Sequence, residues 1–129
     1  MKFNNDFKYD LKFGQIGEEL IANIFTDKTI EVKRDNWIYR SGNIAIEFES
    51  RGKPSGINKS LAEYWVFIFS GKFNDDILLI IETKRLKTIF NKYFEMGKIK
   101  AMGDNNTSLA VLIPVTEITN YKNYEQKTI

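Results

Sequence analysis

Four acidic side chains in the first half of the sequence have the types and the spacing to do chemistry. Glu47 and Glu49 stand two positions apart in the segment NIAIEFES, Asp35 precedes that segment, and Glu18 lies in an earlier apolar stretch. Carboxylate oxygens without nearby imidazole or thiolate ligands favour Mg²⁺ or Mn²⁺ over zinc. The four acids are therefore candidate ligands of a hard divalent metal ion.

Two missing residue types narrow the chemistry further. The chain has 129 residues and contains neither cysteine nor histidine. This composition excludes disulfides, thiolate nucleophiles, Ser-His-Asp triads, imidazole bases and the usual zinc sites. Any catalysis must use carboxylates, lysines, tyrosines, hydroxyl groups or oxygen-ligated metals.

The segment 43–50 is the clearest predicted strand. Its two alternating sets are Ile44, Ile46 and Phe48, and Ala45, Glu47 and Glu49. Period-two alternation predicts that each set lies on one face of a sheet. Two carboxylates on one face repel each other and lose hydration unless cations or donors compensate. Two interpretations stay open: a site built around Glu47 and Glu49, or a solvent-facing side on which they are only surface residues, with Lys33 as a structural partner of Glu47.

A helix is predicted over the segment 13–25. Its apolar residues at helical spacing are Ile16, Leu20, Ile21, Ile24 and Phe25, and they cover one broad half of the helix. Gly14 and Gly17 fall inside that half, which suggests a close approach to another backbone. Glu18 lies just outside the apolar half.

The remaining elements complete one domain over residues 1–129. Strands are predicted at 29–33, 64–69, 77–81 and 109–115. A helix is predicted from the helical spacing of Leu86, Ile89, Phe90, Tyr93 and Phe94, and it ends near Gly97. The continuous apolar runs at 64–69 and 77–81 are typical of strands covered on both faces. The order helix, strands, helix, strand predicts an α/β or α+β fold with one mixed sheet. The polar last dozen residues are expected at the periphery.

The charge is small overall but unevenly distributed. The net charge is +2, and the segment 84–100 carries six lysines and arginines against the single acid Glu95. Such a run is either a solvated helix face or a surface for a polyanion. No stretch approaches the roughly 20 apolar residues of a membrane span, and the N-terminus lacks a signal-peptide pattern. We therefore expect a cytoplasmic protein without a membrane partner.

The acids and their context resemble the PD-(D/E)xK nuclease superfamily. The pattern G-x-x-x-E at 14–18 before an apolar helix, and the 12-residue step from Asp35 to Glu47, are similar to archaeal Holliday junction resolvases. The stretch EVKRD…SGNIAIEFESRGKPSGINKSLAEYW resembles small phage-type nucleases of the superfamily. The resemblance implies a restriction-endonuclease-like αβββαβ core with a mixed central sheet flanked by helices. It also implies a homodimeric Mg²⁺-dependent DNA endonuclease, with Mn²⁺ as a substitute, that cuts branched DNA such as a Holliday junction. A phage-encoded protein of this kind would act in the host cytoplasm.

The resemblance also implies roles for individual residues. Asp35 and Glu47 would hold the metal, with the carbonyl group of Phe48 completing the ligand shell. Glu18 would bind or orient a second metal or its water. Glu49 stands where the superfamily usually has a lysine. Some restriction enzymes of the superfamily also have a glutamate at this position.

The lysine missing at position 49 could come from elsewhere. Lys33 and Lys53 are the nearest candidates in the sequence. A rival register, Glu31-Val32-Lys33, spells E-x-K literally, but Asp27 is only four residues upstream of it and is too close to supply the preceding acid. The departure at Glu49 supports a second hypothesis, in which a catalytically inactive nuclease-like fold binds nucleic acid or a partner protein.

The loop after the acidic strand carries the candidate DNA contacts. Arg51, Lys53 and Lys59 are its cations, and Ser55 with Gly56 can offer hydroxyl and backbone donors to phosphates. The alternative for this loop is an ordinary turn. Trp37 and Tyr39, on a polar segment, are weaker candidates for DNA contact.

Overall fold

The computed structural model describes residues 3–35 and 38–119, with side chains described from Asp10 onward. The helices are α1 (Phe3–Thr26), α2 (Ile38–Ser41), α3 (Thr83–Glu95) and α4 (Val115–Thr119). The strands are β1 (Ile30–Arg34), β2 (Asn43–Ser50), β3 (Lys53–Pro54), β4 (Tyr64–Ser70), β5 (Asp76–Glu82), β6 (Ile99–Met102) and β7 (Ser108–Pro114). Short 3₁₀ turns occupy Gly56–Asn58 and Asp104–Asn106. Trp37 and the last ten residues, which carried predictions, lie outside the described residues.

The described strands form two sheets, and the predicted α+β class is confirmed. The first sheet has the order β1-β4-β5 and is mixed, because β1 runs parallel to β4 while β5 is antiparallel to it. The second sheet has the order β3-β2-β7-β6 and is antiparallel throughout. The fold differs from the expected single sheet because β1 pairs with β4 and β2 pairs with β7, so the two acid-bearing segments belong to different sheets.

One hydrophobic core joins both sheets to α3. Its fully buried side chains include Trp65 and Phe67 from β4, Ile44 and Ile46 from β2, Val111 and Ile113 from β7, and Leu86 from α3. The rings of Phe48 and Phe90 meet edge to face with centroids 5.8 Å apart. The apolar set of β2 therefore faces α3, as its alternation predicts.

The structure corrects one prediction about sheet coverage. The apolar run at 77–81 was expected to be covered on both faces, but Ile77 and Leu78 of β5 are 43% and 55% exposed. β5 is an edge strand of the three-stranded sheet. An apolar run therefore identified the strand correctly but did not establish what covers it.

The helix α1 is longer than predicted and is largely uncovered. It extends to Phe3 rather than Phe13, and from Asp10 to Thr26 only Ile24 is buried. A methyl group added at Gly14 or Gly17 would meet nothing within 4 Å. The close backbone approach predicted from these glycines is therefore not made within the described chain.

The helix α3 ends as its sequence predicts. Gly97 has φ +74° and its N–H donates a hydrogen bond to the carbonyl of Phe94. A left-handed residue after the last turn is the usual way in which a helix satisfies its final carbonyls. Among the residues that the structure describes, no helix has both the length and the apolar character needed to cross a membrane.

An ion pair ties α3 to α4 and leads to a pH prediction. Lys92 Nζ lies 2.8 Å from Glu117 Oε1, and this hydrogen bond lowers the pKa of Glu117 and raises that of Lys92. A carboxylate whose pKa is lowered by folding stabilises the protein above its ordinary pKa, and this contribution disappears as pH falls through the lowered value. Glu117→Gln should therefore unfold at slightly lower urea than wild type at pH 7, and the gap should narrow as pH falls toward 3. Glu19→Gln, an exposed change on α1, is the control, and an equal gap at both pH values would contradict the assignment.

Candidate active site

A cavity of about 560 Å³ lies at the carboxyl end of β1, against the second sheet. Its lining residues are Lys33, Arg34, Asp35, Ser41, Asn43, Ile44, Ala45, Phe67, Lys100, Met102 and Leu112. Three of these side chains are cationic and one is acidic. A volume of this order accommodates a small ligand or part of a larger one.

Asp35 is held at the edge of this cavity by the first sheet. Its backbone N–H donates to the carbonyl of Ile68 at 3.0 Å, which continues the β1–β4 pairing one residue past the end of β1. The residue is half-buried. The predicted site residue Asp35 therefore lines the cavity together with its near neighbour Lys33.

Glu47 lies on β2 and is not one of the residues that line the cavity. Glu47 is half-buried, and its carboxylate accepts a hydrogen bond of 2.8 Å from the hydroxyl of Ser55. Ala45, two residues earlier on the same face of β2, lines the cavity. Ser55 was predicted to contact phosphate, but in the structure it orients Glu47.

The 3₁₀ turn after Ser55 packs directly on the backbone at Glu47. Gly56 has φ +52°, and a Cβ at this position would overlap the carbonyl group of Glu47. A side chain at Gly56 is therefore excluded both by the left-handed backbone and by the contact. The glycine allows the loop to approach β2 closely enough for Ser55 to reach the carboxylate.

A β-bulge separates Glu47 from Glu49. Glu47 pairs with Ala110 and Glu49 with Leu109, so Phe48 has no partner on β7. Residues directly opposite each other in a sheet share a face, and successive residues of β7 alternate between faces. Glu49 therefore lies on the face opposite that of Glu47, and the predicted shared face is wrong. The bulge adds one residue to β2, which shifts the alternation by one position.

The register after the bulge is supported by a side-chain contact. Ser50 pairs with Ser108, and their hydroxyl groups lie 3.1 Å apart. This contact places both serines on one face, as the shifted register requires.

The carbonyl group of Phe48 is already engaged. It accepts hydrogen bonds from the backbone N–H of Ser55 at 3.0 Å and from Asn58 Nδ2 at 3.3 Å. A carbonyl oxygen has two lone pairs, so both are used within the chain. The structure does not support the role that the resemblance implied for this carbonyl as a metal ligand.

Glu18 differs from the other three predicted acids in its exposure. It is exposed on α1 and does not line the cavity. Among the described residues, no three or more acidic side chains form a group that could hold a metal ion. Of the four predicted acids, Asp35 alone lines the cavity, while Glu47 is held by Ser55 on β2.

Lys100 is a cavity residue that the sequence did not single out. It pairs with Ala110 on β7, and Ala110 pairs on its other side with Glu47. Lys100 and Glu47 therefore share one face of the second sheet, with a small alanine between them. The sequence contained Lys100 only as part of the basic run 84–100, because β6 was not predicted.

None of the predicted DNA contacts Arg51, Lys53, Ser55 and Lys59 lines the 560 Å³ cavity. Arg51 occupies a two-residue hairpin turn with φ +53°, and Lys53 and Lys59 are exposed. Lys59 lines a second cavity of about 260 Å³ together with Lys87. The basic run is divided between the exposed side of α3 and the edge strand β6.

No family model, curated protein or solved structure matches this chain. The resemblance to PD-(D/E)xK nucleases is therefore an interpretation of the sequence motifs alone. Function has to be inferred from the residues of this chain and from the cavity they line.

Proposed function

We propose that the protein is a Mg²⁺-dependent DNA endonuclease in which Asp35 and Glu47 hold the metal. The observation that supports this most is the cavity, because it combines the carboxylate of Asp35 with Lys33 and Lys100, and Lys100 shares a sheet face with Glu47. A phosphodiester is an anion, and cations in a concave site favour its binding.

The donor set fits magnesium better than other metals. Mg²⁺ is usually bound by one or two carboxylates and completes its shell with water and substrate phosphate oxygens. Two carboxylates near one cavity meet this requirement without a third acid. When bound, the metal lowers the pKa of water and neutralises charge on the phosphate.

The residues of the chain then have distinct roles. Asp35 and Glu47 supply the negative charge that attracts the cation, and Ser55 keeps the Glu47 carboxylate in one orientation. Lys33 and Lys100 bind the phosphate, and either can replace the lysine that the superfamily carries at the position of Glu49. Glu49 takes no part in this proposal, because the bulge directs it to the other face.

The wider interaction with DNA uses the exposed cations. Arg51, Lys53 and Lys59 would contact backbone phosphates outside the cavity, which positions the duplex without reading its sequence. A branched or Holliday-junction substrate, a homodimer and a cytoplasmic location follow from the resemblance, and paired cuts would require a second copy of the site.

The proposal is tested with supercoiled plasmid DNA. Wild type should nick the plasmid with Mg²⁺ or Mn²⁺ and stop when EDTA is added, and Asp35→Asn should be at least about 100-fold slower, because metal sites lose 10- to 100-fold even when an outer residue is changed. Asp104→Asn, an exposed aspartate in the second 3₁₀ turn, is the matched control and should cut like wild type. Full activity in Asp35→Asn would overturn the proposed site.

A further variant distinguishes the two possible positions of the nuclease motif in the sequence, at 47–49 or at 31–33. Glu31 on β1 belongs to the rival E-x-K sequence and, like Glu47, is half-buried. The proposal expects Glu31→Gln to cut like wild type, whereas loss of cleavage in Glu31→Gln alone would select the rival register.

A non-catalytic DNA-binding module is the second candidate function. One observation favours it: the Phe48 carbonyl, which the resemblance would make a metal ligand, has both acceptor positions occupied. This candidate expects DNA binding whose affinity falls steeply with added salt, without cleavage in Mg²⁺ or Mn²⁺. Metal-dependent cleavage that is lost in Asp35→Asn would exclude it.

A further inference from the structure

The lining of the 560 Å³ cavity has a charged part and an apolar part. The charged part contains Asp35 and the two lysines to which the proposed function gives the phosphate. We define the apolar part as Ala45, Met102 and Leu112, each of which is half-buried. A metal ion and a phosphate gain nothing from contact with apolar side chains. The apolar part is therefore not explained by the proposed function alone.

The apolar part shares a sheet face with the proposed metal ligand Glu47. Ala45 precedes Glu47 by two positions on β2, which is about 7 Å along a strand and places both side chains on one face. Leu112 lies directly opposite Ala45, and residues opposite each other share a face. Whatever contacts the apolar part therefore lies on the side of the sheet that carries the Glu47 carboxylate.

Asn43 adds a polar group to the same face. It begins β2, lines the cavity and is half-buried. Its backbone N–H and carbonyl are both hydrogen-bonded to the hydroxyl of Ser41. Among the residues that the structure describes, the side-chain amide of Asn43 has no hydrogen-bond partner. An amide presents two donors and an acceptor, and this combination can pair with the edge of a nucleobase.

Lys33 and Lys100 add positive charge that the described chain does not neutralise. Arg34 in the same lining lies 3.2 Å from Asp76, whereas neither lysine forms an ion pair with a described residue. Cations that line a concave surface attract anions. The cavity thus combines an anion site, an apolar part and a free amide, which match the phosphate, the faces and the edge of one nucleotide.

A nucleotide inside a continuous duplex cannot use these three features together. Its base is stacked between neighbours and its edge is paired, so an enzyme that contacts a whole base must take it out of the stack. A volume of about 560 Å³ is typical of sites for one drug-sized ligand. This size suits a single nucleotide rather than a base pair with two backbones.

We propose that the cavity binds one unpaired nucleotide of a DNA strand, with its base against the apolar part, its edge at Asn43 and its phosphate on the two lysines. The substrate is then DNA that carries unpaired nucleotides, such as a single strand or a flap beside a duplex. Asn43 and Glu47 are four positions apart on one face, about 13 Å along the strand, so the base edge and the metal occupy different ends of the site. The identification of the ligand as DNA rests on the proposed function.

Binding in EDTA tests this inference without cleavage. By fluorescence anisotropy, a short labelled oligothymidylate should bind at least about 10-fold tighter than its duplex with oligoadenylate, and Asn43→Ala should weaken binding of the single strand by about 10-fold, the effect of one base contact. Asn91→Ala is the matched control, because it removes an exposed amide from α3, and it should bind like wild type. Equal affinity for single strand and duplex, or wild-type affinity in Asn43→Ala, would overturn the inference.

A second variant tests the apolar part. Met102→Gln replaces a half-buried thioether with a polar group of similar length and should weaken binding of the single strand several-fold, with an unchanged unfolding midpoint in urea. Unchanged affinity in Met102→Gln would show that the base does not lie against the apolar part.

Cleavage separates the failure of this inference from the failure of the proposed function. With Mg²⁺, wild type should cut the single strand at least about 10-fold faster than the duplex. Equal rates would overturn the inference and leave the metal site standing, whereas tighter binding of the single strand without cleavage would reject the nuclease and support the nucleotide site. Free thymidine monophosphate is the last arm. If it displaced the labelled strand at a lower concentration than the unlabelled strand does, the ligand would be a free nucleotide and the inference would be wrong.

Discussion

Replacing Glu47 with glutamine should lower the rate of Mg²⁺-dependent DNA cleavage by about 100-fold or more. Glutamine has the size of glutamate and keeps an oxygen that can accept the hydrogen bond from Ser55. The substitution therefore removes the negative charge while leaving the packing of the loop intact. Loss of activity with an unchanged unfolding midpoint in urea would locate the effect in metal binding rather than in folding.

Glu49→Gln is the matched control for this prediction. Glu49 is two residues away, equally half-buried, and placed by the bulge on the other face of β2. Its cleavage rate should stay close to that of wild type. If Glu49→Gln were as damaging as Glu47→Gln, the two carboxylates would act together, and the assignment of faces made from the bulge would be wrong.

Gly56→Ala should destabilise the protein by about 2–4 kcal/mol and abolish most cleavage. The change adds left-handed backbone strain to an overlap between the new Cβ and the carbonyl of Glu47. The 3₁₀ turn must then move away from β2, which breaks the hydrogen bond from Ser55 to Glu47. Urea unfolding and plasmid nicking measure the two effects.

Gly97→Ala separates backbone strain from the overlap. Gly97 also has a positive φ, +74°, but a Cβ there would meet nothing within 4 Å. Its cost should be about 1 kcal/mol, with cleavage unchanged. Equal destabilisation in the two variants would show that the overlap between a Cβ at position 56 and the carbonyl of Glu47 does not lower the stability of the fold.

The local elements were predictable because their signals are local. The strand at 43–50 has the predicted bounds, since its alternation of apolar and polar residues is regular up to the bulge. The end of α3 followed from Gly97, whose backbone conformation few other residues adopt. These features depend on neighbours in the sequence and need no information about distant segments.

The pairing of strands and the shape of the site were not predictable in the same way. Whether β1 pairs with β4 or with β2 depends on long-range packing. Hydrophobic periodicity contains no information about such packing. A bulge shifts alternation by one residue without a distinctive composition, so Glu49 was placed on the wrong face. Lys100 was missed for a related reason, because the four-residue strand β6 is too short to give a periodic signal.

The candidate acids also differ in how well their positions could be predicted from the sequence. Asp35 and Glu47 could be selected from residue type and spacing; in the structure Asp35 lines the cavity and Glu47 accepts a hydrogen bond from Ser55. Glu18 was selected from its position in a helix, yet that helix leaves it exposed. Residue type and spacing selected the candidate acids, whereas their exposure and the strand on which each lies became known only from the structure.

Anomalous diffraction from crystals soaked in MnCl₂ tests the central claim most directly. A manganese peak is expected at the cavity, in contact with carboxylate oxygens of Asp35 and Glu47, and no such peak is expected in Glu47→Gln crystals soaked in the same way. A fully occupied peak elsewhere on the protein, or an empty cavity at saturating Mn²⁺, would contradict the proposed metal site.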